Sequence, residues 1–252
     1  MKVSLRTMSL LPCMAFLLAV TPIAHAQYSV SGEVWEAPAS GLVDNSTDSV
    51  PALGSAVYSS TPTAAFTLTN STSASDLFDF YSANDGPGAT GGLSSFLTSA
   101  YSSGNPNGDT LTYLAGGTKG SSAANDSIDD DLFKFTGTTA LANGTYDFEH
   151  DDGLLLYLNG VLVVNEGGPT AAAETTLCVG TTGCDYNIAT TGDVAESFTL
   201  LYAEVDGPPA VLDTNLPLTG PPPTVTPEPG SLTLMGTGVL ALAGMIRRRF
   251  AA

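Results

Sequence analysis

Short runs of apolar or alternating residues, separated by turn-forming residues, recur along most of the chain, and none of them keeps the 3.6-residue period of a long amphipathic helix. The runs that predict strands are residues 28–35, 64–69, 132–136, 144–148, 154–158, 161–164 and 197–205. One short helix is expected at residues 93–97, just after two glycines. Many short strands with frequent turns predict an all-β protein, an antiparallel β-sandwich.

The pair Asn159-Gly160, which lies between two apolar runs, carries the strongest local signal. This pair favours a two-residue type I′ turn because both residues tolerate positive φ. Upstream, residues 144–150 alternate with a strand period, and Asp151-Asp152-Gly153 predicts a turn before the next strand. The predicted local order is strand, acidic turn, strand, Asn-Gly turn, strand.

Residues 1–26 have the three parts of a secretory signal. A basic start precedes an apolar run over residues 10–20, and Ala24-His25-Ala26 forms a small-x-small cleavage site. The apolar run is short for a transmembrane helix. We expect export with cleavage before Gln27, and the alternative is an uncleaved N-terminal anchor.

The C-terminal segment has an equally ordered pattern. A proline-rich linker, residues 219–229, ends in Pro227-Glu228-Pro229, and sixteen uncharged residues, 231–246, then lead to Arg247-Arg248-Arg249. As a helix those sixteen residues would span about 24 Å, which is short for a bilayer core of about 30 Å. Terminal arginines favour the cytoplasmic side. The pattern predicts that residues 230–252 are a tail held temporarily by a membrane enzyme, with a permanent anchor as the alternative.

These three elements in this order resemble the PEP-CTERM sorting signal, over residues 227–249. The resemblance implies that an exosortase-type membrane enzyme is a partner, which recognises the tail and processes it near the Pro-Glu-Pro triplet. It also implies a protein exported to the cell envelope or extracellular matrix of a Gram-negative bacterium that makes exopolysaccharide.

The exported part has an extreme charge. Residues 27–228 contain two lysines against all 25 acidic residues, a net formal charge of −23. Electrostatic repulsion excludes nucleic acid as a partner. Cations, calcium above all, are compatible with this charge, and the alternative is that the acidity only keeps the protein soluble.

Two cysteines, Cys178 and Cys184, fall within the exported part, while Cys13 lies in the signal. Export would place both in an oxidising compartment, where disulfides persist. With five residues between them they can close a small loop. We therefore expect a Cys178–Cys184 disulfide, and two free thiols are the alternative.

Residues 128–216 resemble the protective-antigen-type lectin-like β-sandwich family. The resemblance rests on Gly144-Thr145-Tyr146, on Asp151-Asp152-Gly153 and on the Asn159-Gly160 hairpin. It implies a lectin-like jelly roll, and we assign residues 27–218 to this domain. In the sugar-binding members, two adjacent aspartates joined by a cis peptide bond hold calcium, which coordinates sugar hydroxyls. Asp151 and Asp152 match that pair.

A calcium site would need several oxygen ligands. Asp151 and Asp152 are the candidate pair, and Asp206 and Asn165 are weaker candidates for further oxygens. The alternative is a structural turn in which a carboxylate caps backbone amides. Replacing both aspartates by asparagine is expected to leave the metal-free fold nearly unchanged.

Other polar residues do not form a recognisable site. The exported part has no nucleophile elbow and no glycine-rich phosphate loop, and its only histidine, His150, is expected on a strand as a surface or hydrogen-bonded residue. We therefore expect no enzyme activity. Trp35 is expected in the core. A cluster without calcium-loop spacing is expected to be a solvated turn; it consists of Asp126, Asp129, Asp130 and Asp131.

Two functional hypotheses remain after these observations. The first is an exported structural protein of the cell envelope or extracellular matrix, sorted by the PEP-CTERM and exosortase route. The alternative is a calcium-dependent, lectin-like module whose partner is an exopolysaccharide or a surface glycan.

Overall fold

The computed structural model describes residues 28–36, 49–70, 78–83, 92–99, 110–113, 131–190, 192, 194–205 and 209–219. The predicted signal peptide, the linker from residue 220 onward and the C-terminal tail lie outside these residues, as does Asp206. Within the described ranges no helix combines the length and apolar character needed to cross a bilayer.

Twelve strands, one short helix and one 3₁₀ turn make up the regular structure of the described residues. The strands are β1 (Tyr28–Glu36), β2 (Ala64–Asn70), β3 (Asp79–Ser82), β4 (Thr110–Tyr113), β5 (Asp131–Ala140), β6 (Gly144–Asp151), β7 (Gly153–Leu158), β8 (Val161–Glu166), β9 (Ala173–Val179), β10 (Tyr186–Ile188), β11 (Ala195–Glu204) and β12 (Ala210–Thr214). Helix α1 spans Gly92–Thr98, and the 3₁₀ turn spans Ala56–Ser59. The seven predicted strands and the helix are confirmed.

The strands form two sheets. The larger has the order β4-β2-β1-β5-β11-β7-β8, and the smaller has the order β10-β9-β6-β12-β3. Neighbouring strands run antiparallel, with β9 and β10 as the exception: they run parallel, with Tyr186 opposite Leu177. The chain returns there through the loop that Cys178 and Cys184 close. The predicted antiparallel sandwich is thus correct except for this pair.

Side chains from both sheets form the main core, which is rich in aromatic rings. Phe78 contacts Phe135 edge-on with ring centroids 5.2 Å apart, and Phe96 lies nearly parallel to Tyr202 at 6.0 Å. Aromatic pairs of this kind add to the large free energy that burial of each ring contributes. The core therefore holds the two sheets face to face.

A second apolar cluster, which we call the outer cluster, covers the opposite face of the larger sheet. Its buried members are Trp35, Val50, Leu132, Leu155, Tyr157, Leu201, Ala203 and Val205, and Leu53, Val57 and Tyr58 from the segment 49–60 pack against them. Trp35 is fully buried there, as predicted. Because one face of β7 lies in the main core and the other in this cluster, all six of its residues are buried.

The Asn159-Gly160 turn is confirmed between β7 and β8. Asn159 has a φ of 48° and Gly160 a φ of 78°, the left-handed values that a type I′ turn requires. The Asn159 side chain also accepts a 3.1 Å hydrogen bond from the backbone N–H of Ser197 on β11.

Candidate functional site

The acidic turn, Asp151-Asp152-Gly153, carries the chain from β6 in the smaller sheet to β7 in the larger one. The peptide bond between Asp151 and Asp152 is cis. Both aspartates are buried, with 3% and 0% of their surfaces exposed. Gly153 is needed because a Cβ atom at this position would lie 2.7 Å from the carbonyl oxygen of Gly167.

The Asp152 carboxylate joins three segments of the chain. Its Oδ1 accepts the backbone N–H of Thr170 at 3.0 Å, and its Oδ2 accepts that of Val205 at 2.9 Å. Hydrogen bonds to a charged group contribute about 1.5–3 kcal/mol each. These bonds argue against the expectation that replacing both aspartates leaves the metal-free fold nearly unchanged. Asparagine can accept through only one of its two terminal atoms, so we expect Asp152→Asn to weaken the fold.

His150, at the end of β6, faces the same turn and is buried. Its Nδ1 lies 2.5 Å from the Asp152 carbonyl oxygen, and its Nε2 lies 3.1 Å from the Thr175 hydroxyl. Because a carbonyl only accepts, Nδ1 carries the proton and Nε2 accepts from Thr175. Burial lowers the pKa of His150, although the bond to Asp152 and nearby glutamates partly oppose this. The histidine is a neutral, hydrogen-bonded part of the turn.

Two further residues at this end, Tyr202 and Glu204 on β11, were not identified from the sequence. Both are buried. The Tyr202 hydroxyl donates to the Asp151 carbonyl and lies 3.0 Å from Glu204 Oε2. Burial raises the pKa of Tyr202 well above its usual value, and the negative charges of Glu204, Asp152 and Asp151 raise it further. The sequence did contain a signal for Glu204. Phe198, Leu200 and Tyr202 form one apolar face of the strand, and a charged residue, Glu204, takes the next position on that face.

The acidic surroundings extend across neighbouring strands. Glu204 lies opposite Asp131 in the register of β11 and β5, and Asp131 lies opposite Glu36 of β1. The expectation of a solvated turn is wrong for Asp131, which begins β5 and is buried, while the other three aspartates of that cluster lie outside the described residues. Lys134, the one Lys or Arg in the described ranges, pairs with Glu33 at 2.7 Å.

The donor atoms of the acidic turn match calcium in type, because calcium prefers carboxylate and carbonyl oxygens. Each Asp152 oxygen accepts a backbone N–H. Asp206 directly follows Val205, whose amide Asp152 binds, but lies outside the described residues, and Asn165 lines a cleft beside β8. In the described part of the chain no three His, Cys, Asp or Glu side chains approach closely enough to hold a metal ion. A complete site would require further ligands.

A disulfide bond between Cys178 and Cys184 closes the loop between β9 and β10, which we call the disulfide loop. The two Cα atoms are 5.5 Å apart, a usual distance for a disulfide. Just beyond it, the Asp185 carboxylate accepts the backbone N–H of Thr176 at 2.9 Å and its hydroxyl at 2.8 Å. These bonds lower the pKa of Asp185, although the side chain is exposed.

The described residues form a two-sheet β-sandwich, and the chain continues into a C-terminal segment of distinct composition. That segment, residues 225–249, matches the family model of the PEP-CTERM protein-sorting motif. The protein thus carries a PEP-CTERM sorting signal, which implies export, a membrane-associated C-terminal signal and processing by an exosortase.

The sandwich itself is similar to several solved structures. The PA14 sugar-binding domain from an RTX adhesin has 22% identity and a TM-score of 0.47, and the match covers 74% of this chain and 88% of that one. The PA14 domain of the MpAFP antifreeze protein has 16% identity and a TM-score of 0.46, with coverage of 79% and 95%. An epithelial adhesin A domain from Candida glabrata, in complex with β-lactose, has 12% identity, a TM-score of 0.36 and coverage of 76% and 81%. No curated protein matches the chain in sequence.

Proposed function

We propose that this chain is an exported, non-enzymatic structural protein of the cell envelope or extracellular matrix of a Gram-negative bacterium. The observation that carries the proposal is the PEP-CTERM motif at residues 225–249. In this proposal residues 1–26 direct export, and residues 230–252 form a helix that holds the protein in the inner membrane. An exosortase then processes the chain near Pro227-Glu228-Pro229 and leaves the β-sandwich domain.

The character of the domain supports a role outside the cytoplasm. Its aromatic core and the Cys178–Cys184 link suit a domain that must persist where no cellular reductant acts on it. The formal charge of −23 on residues 27–228 keeps neighbouring copies apart and soluble.

Intact-mass measurement on each cell fraction tests the sorting proposal. The wild-type protein should be recovered outside the inner membrane without residues 1–26 and without the apolar tail. Glu228→Ala should accumulate in the membrane fraction with residues 231–249 retained. Pro222→Ala, in the same linker but outside the triplet, is the matched control and should behave like the wild type. Recovery of wild-type protein in the membrane with its tail intact would show a permanent anchor instead.

A second candidate function is a calcium-dependent carbohydrate-binding module at the acidic turn. The observation that favours it is the position of the buried Tyr202 hydroxyl, which donates to the Asp151 carbonyl and lies 3.0 Å from Glu204 Oε2 at the turn that also contains the buried Asp152. Carboxylates in a poorly solvated interior repel one another, and a divalent cation would offset that repulsion. Asp206 and its neighbours would then supply further oxygens.

Calcium titration of the exported protein tests this candidate. Calcium that binds only the folded state should stabilise it by about 2.7 kcal/mol at a hundred times Kd. Asp151→Asn should abolish the calcium-dependent rise in melting temperature, whereas Glu174→Gln, at an exposed site on β9, should retain it. Magnesium at equal ionic strength is the control for general screening, and an equal rise with magnesium would contradict a defined calcium site. A glycan array with calcium and with a chelator would then test for a sugar ligand.

A further inference from the structure

The last described residue, Thr219, is held at one end of the larger sheet. Its N–H donates to the Thr138 carbonyl at 2.9 Å, and its carbonyl accepts the Thr138 hydroxyl at 2.8 Å. Thr138 of β5 lies opposite Ser197 of β11, and the Ser197 N–H donates to Asn159 Oδ1 at 3.1 Å. The point where the chain leaves the domain and the Asn159-Gly160 turn therefore lie at the same end of the sheet, which we call the exit end.

Apolar side chains are exposed at the exit end. Val161, directly after the turn, has 65% of its surface exposed, Val194, directly before β11, has 61%, and Leu162 has 42%. Within the described ranges these three are the large hydrophobic residues with exposed side chains, so all of them lie at this end. Single exposed apolar residues are ordinary, whereas their restriction to one end of a domain indicates a contact surface.

The exit end is also poor in charge. The starts of β1, β6, β8 and β11 meet there with the ends of β5, β7, β9 and β10. Within two residues of these strand ends, Glu196 is the one charged residue in the part of the chain that the structure describes. The opposite end has six acidic residues at the corresponding positions: Glu36, Asp131, Asp151, Asp152, Glu166 and Glu204. Since β11 spans ten residues, the two ends are roughly 30 Å apart.

The length of chain beyond Thr219 limits how far the exit end can be from the membrane. Ten residues, 220–229, separate it from the segment proposed to enter the inner membrane. Ten residues span at most about 36 Å. While the tail is in the bilayer, the exit end therefore stays near the lipid surface, at an effective concentration on the order of millimolar.

We propose that the exit end is a membrane-contact surface, on which Val161, Leu162 and Val194 rest against the exported-side leaflet of the inner membrane while the tail is uncleaved. This inference rests on the proposed sorting function, since the tail supplies the tether. Apolar side chains gain free energy when lipid replaces the water around them. Anionic lipids repel the six acidic residues of the opposite end, which favours the same orientation.

The contact depends on the tether, because three side chains bury little area. It should hold the domain upright on the membrane before processing and release it once the tail is removed. A second copy of the chain is a less suitable partner for this surface, since each copy has a formal charge of −23 over residues 27–228 and copies repel one another.

Fluorescence quenching tests the orientation. The protein from residue 27 to its C-terminus is reconstituted in vesicles of phosphatidylethanolamine and phosphatidylglycerol, in which a minor share of the lipids carries a nitroxide on the headgroup. A fluorophore is attached either at Thr190→Cys, exposed at the exit end, or at Glu174→Cys, exposed near the opposite end. Because nitroxides quench only at short range, the label at position 190 should be quenched and the label at position 174 should not.

The matched variant replaces both exposed valines by threonine, Val161→Thr with Val194→Thr, which keeps the β-branched shape and removes apolar surface. Quenching at position 190 should then fall to the level at position 174. Val161→Ile with Val194→Ile adds apolar surface and should strengthen the quenching. Both positions are exposed, so the variants should retain the fold, which thermal unfolding checks.

Three results would overturn the inference: equal quenching of the two labels, no quenching of either, or unchanged quenching in the threonine variant. Dimers that form without lipid and are abolished in the threonine variant would overturn it too, and would assign the surface to a second copy.

Flotation of the vesicles separates this inference from the sorting proposal. A full chain that does not float with the vesicles would contradict the proposed tail helix. Residues 27–229 with a C-terminal histidine tag on nickel-chelating lipid would then test the surface without the tail, since all described residues lie within that range. Imidazole, which releases the tag, should abolish the quenching at position 190, and persistent quenching would contradict a contact that depends on the tether.

Discussion

The acidic turn and the end of the disulfide loop each have an aspartate carboxylate that accepts two hydrogen bonds, but the two carboxylates differ in burial. At the acidic turn the Asp152 carboxylate accepts two backbone N–H groups, and it is fully buried. Beside the disulfide loop the Asp185 carboxylate accepts the N–H and the hydroxyl of Thr176, and it is exposed. The hydrogen-bond lengths are nearly equal. We therefore expect burial to make the Asp152 bonds contribute more to the free energy of unfolding than the Asp185 bonds.

This comparison shows how each region is stabilised. If Asp152 is lost, no water can readily replace it, and two N–H groups stay unsatisfied at a high cost. If Asp185 is lost, water takes its place at little cost. The disulfide loop depends instead on the covalent link between Cys178 and Cys184. Four changes test this contrast, in decreasing order of expected effect.

Asp152→Ala should lower the free energy of unfolding by about 3 kcal/mol, because two charge-assisted hydrogen bonds are lost and their donors stay buried. Urea denaturation in the presence of a chelator measures the loss without any contribution from bound metal. Asp185→Ala is the matched variant and should have a far smaller effect. Equal losses in the two variants would contradict the role assigned to burial.

Replacing both Cys178 and Cys184 by serine should cost about 2 kcal/mol, the chain-entropy value for so short a loop. Urea denaturation of the oxidised parent and the double variant measures this loss. Reduction of the parent should reproduce it. Free alkylation of both thiols in the native exported protein would show that the link does not form there.

Gly160→Ala should cost about 1 kcal/mol, because a residue with a Cβ atom must adopt left-handed backbone angles at the far end of β7 from the acidic turn. No neighbouring atom lies within 4 Å of the new methyl group, so the cost would be conformational alone. Gly144→Ala has equally open surroundings without positive φ and is the control. Thermal unfolding of both variants separates backbone cost from crowding.

The smallest effect should be the dependence of stability on His150 protonation. Burial lowers the pKa of His150 in the folded state, so the unfolded chain binds the proton more readily. Stability linked to this residue is therefore complete above the unfolded pKa of about 6.5, and it is lost as pH falls toward the lower folded value. Unfolding free energies between neutral pH and mild acid should fall more steeply for the wild type than for His150→Gln. Parallel curves would contradict the linkage.

The sequence predicted much of the fold because several signals are local. Apolar or alternating runs predicted β1, β2, β5, β6, β7, β8 and β11, and Asn159-Gly160 predicted its turn. Strands β3, β4, β10 and β12 have only three to five residues, too few for a pattern to be recognised, and β9 has no regular alternation. Pairing with neighbouring strands stabilises these five. The parallel direction of β10 depends on where the chain returns after Cys184, which local pattern does not encode.

The candidate site was predicted only in part, and its missing members are distant in sequence. Asp-Asp-Gly indicated the acidic turn, but Tyr202 and Glu204 reach it from β11, more than fifty residues later. The buried position of Asp131 depends on its pairing between β1 and β11. Glu204 carries a sequence signal, a charge at the end of an apolar face, but the role of each of these residues depends on a strand that is far away along the chain.

By itself the sequence determined the features that depend on neighbouring residues: the sorting motif at residues 225–249, the Asn-Gly turn and the strands with regular alternation. Only the tertiary structure decided that Asp152 is a buried cap rather than a surface carboxylate, since its two partners lie 18 and 53 residues away. The outer cluster also arises only when residues 49–60 pack on the larger sheet. The reason is physical: backbone conformation follows from adjacent side chains, whereas burial and hydrogen-bond partners follow from which distant strands come together.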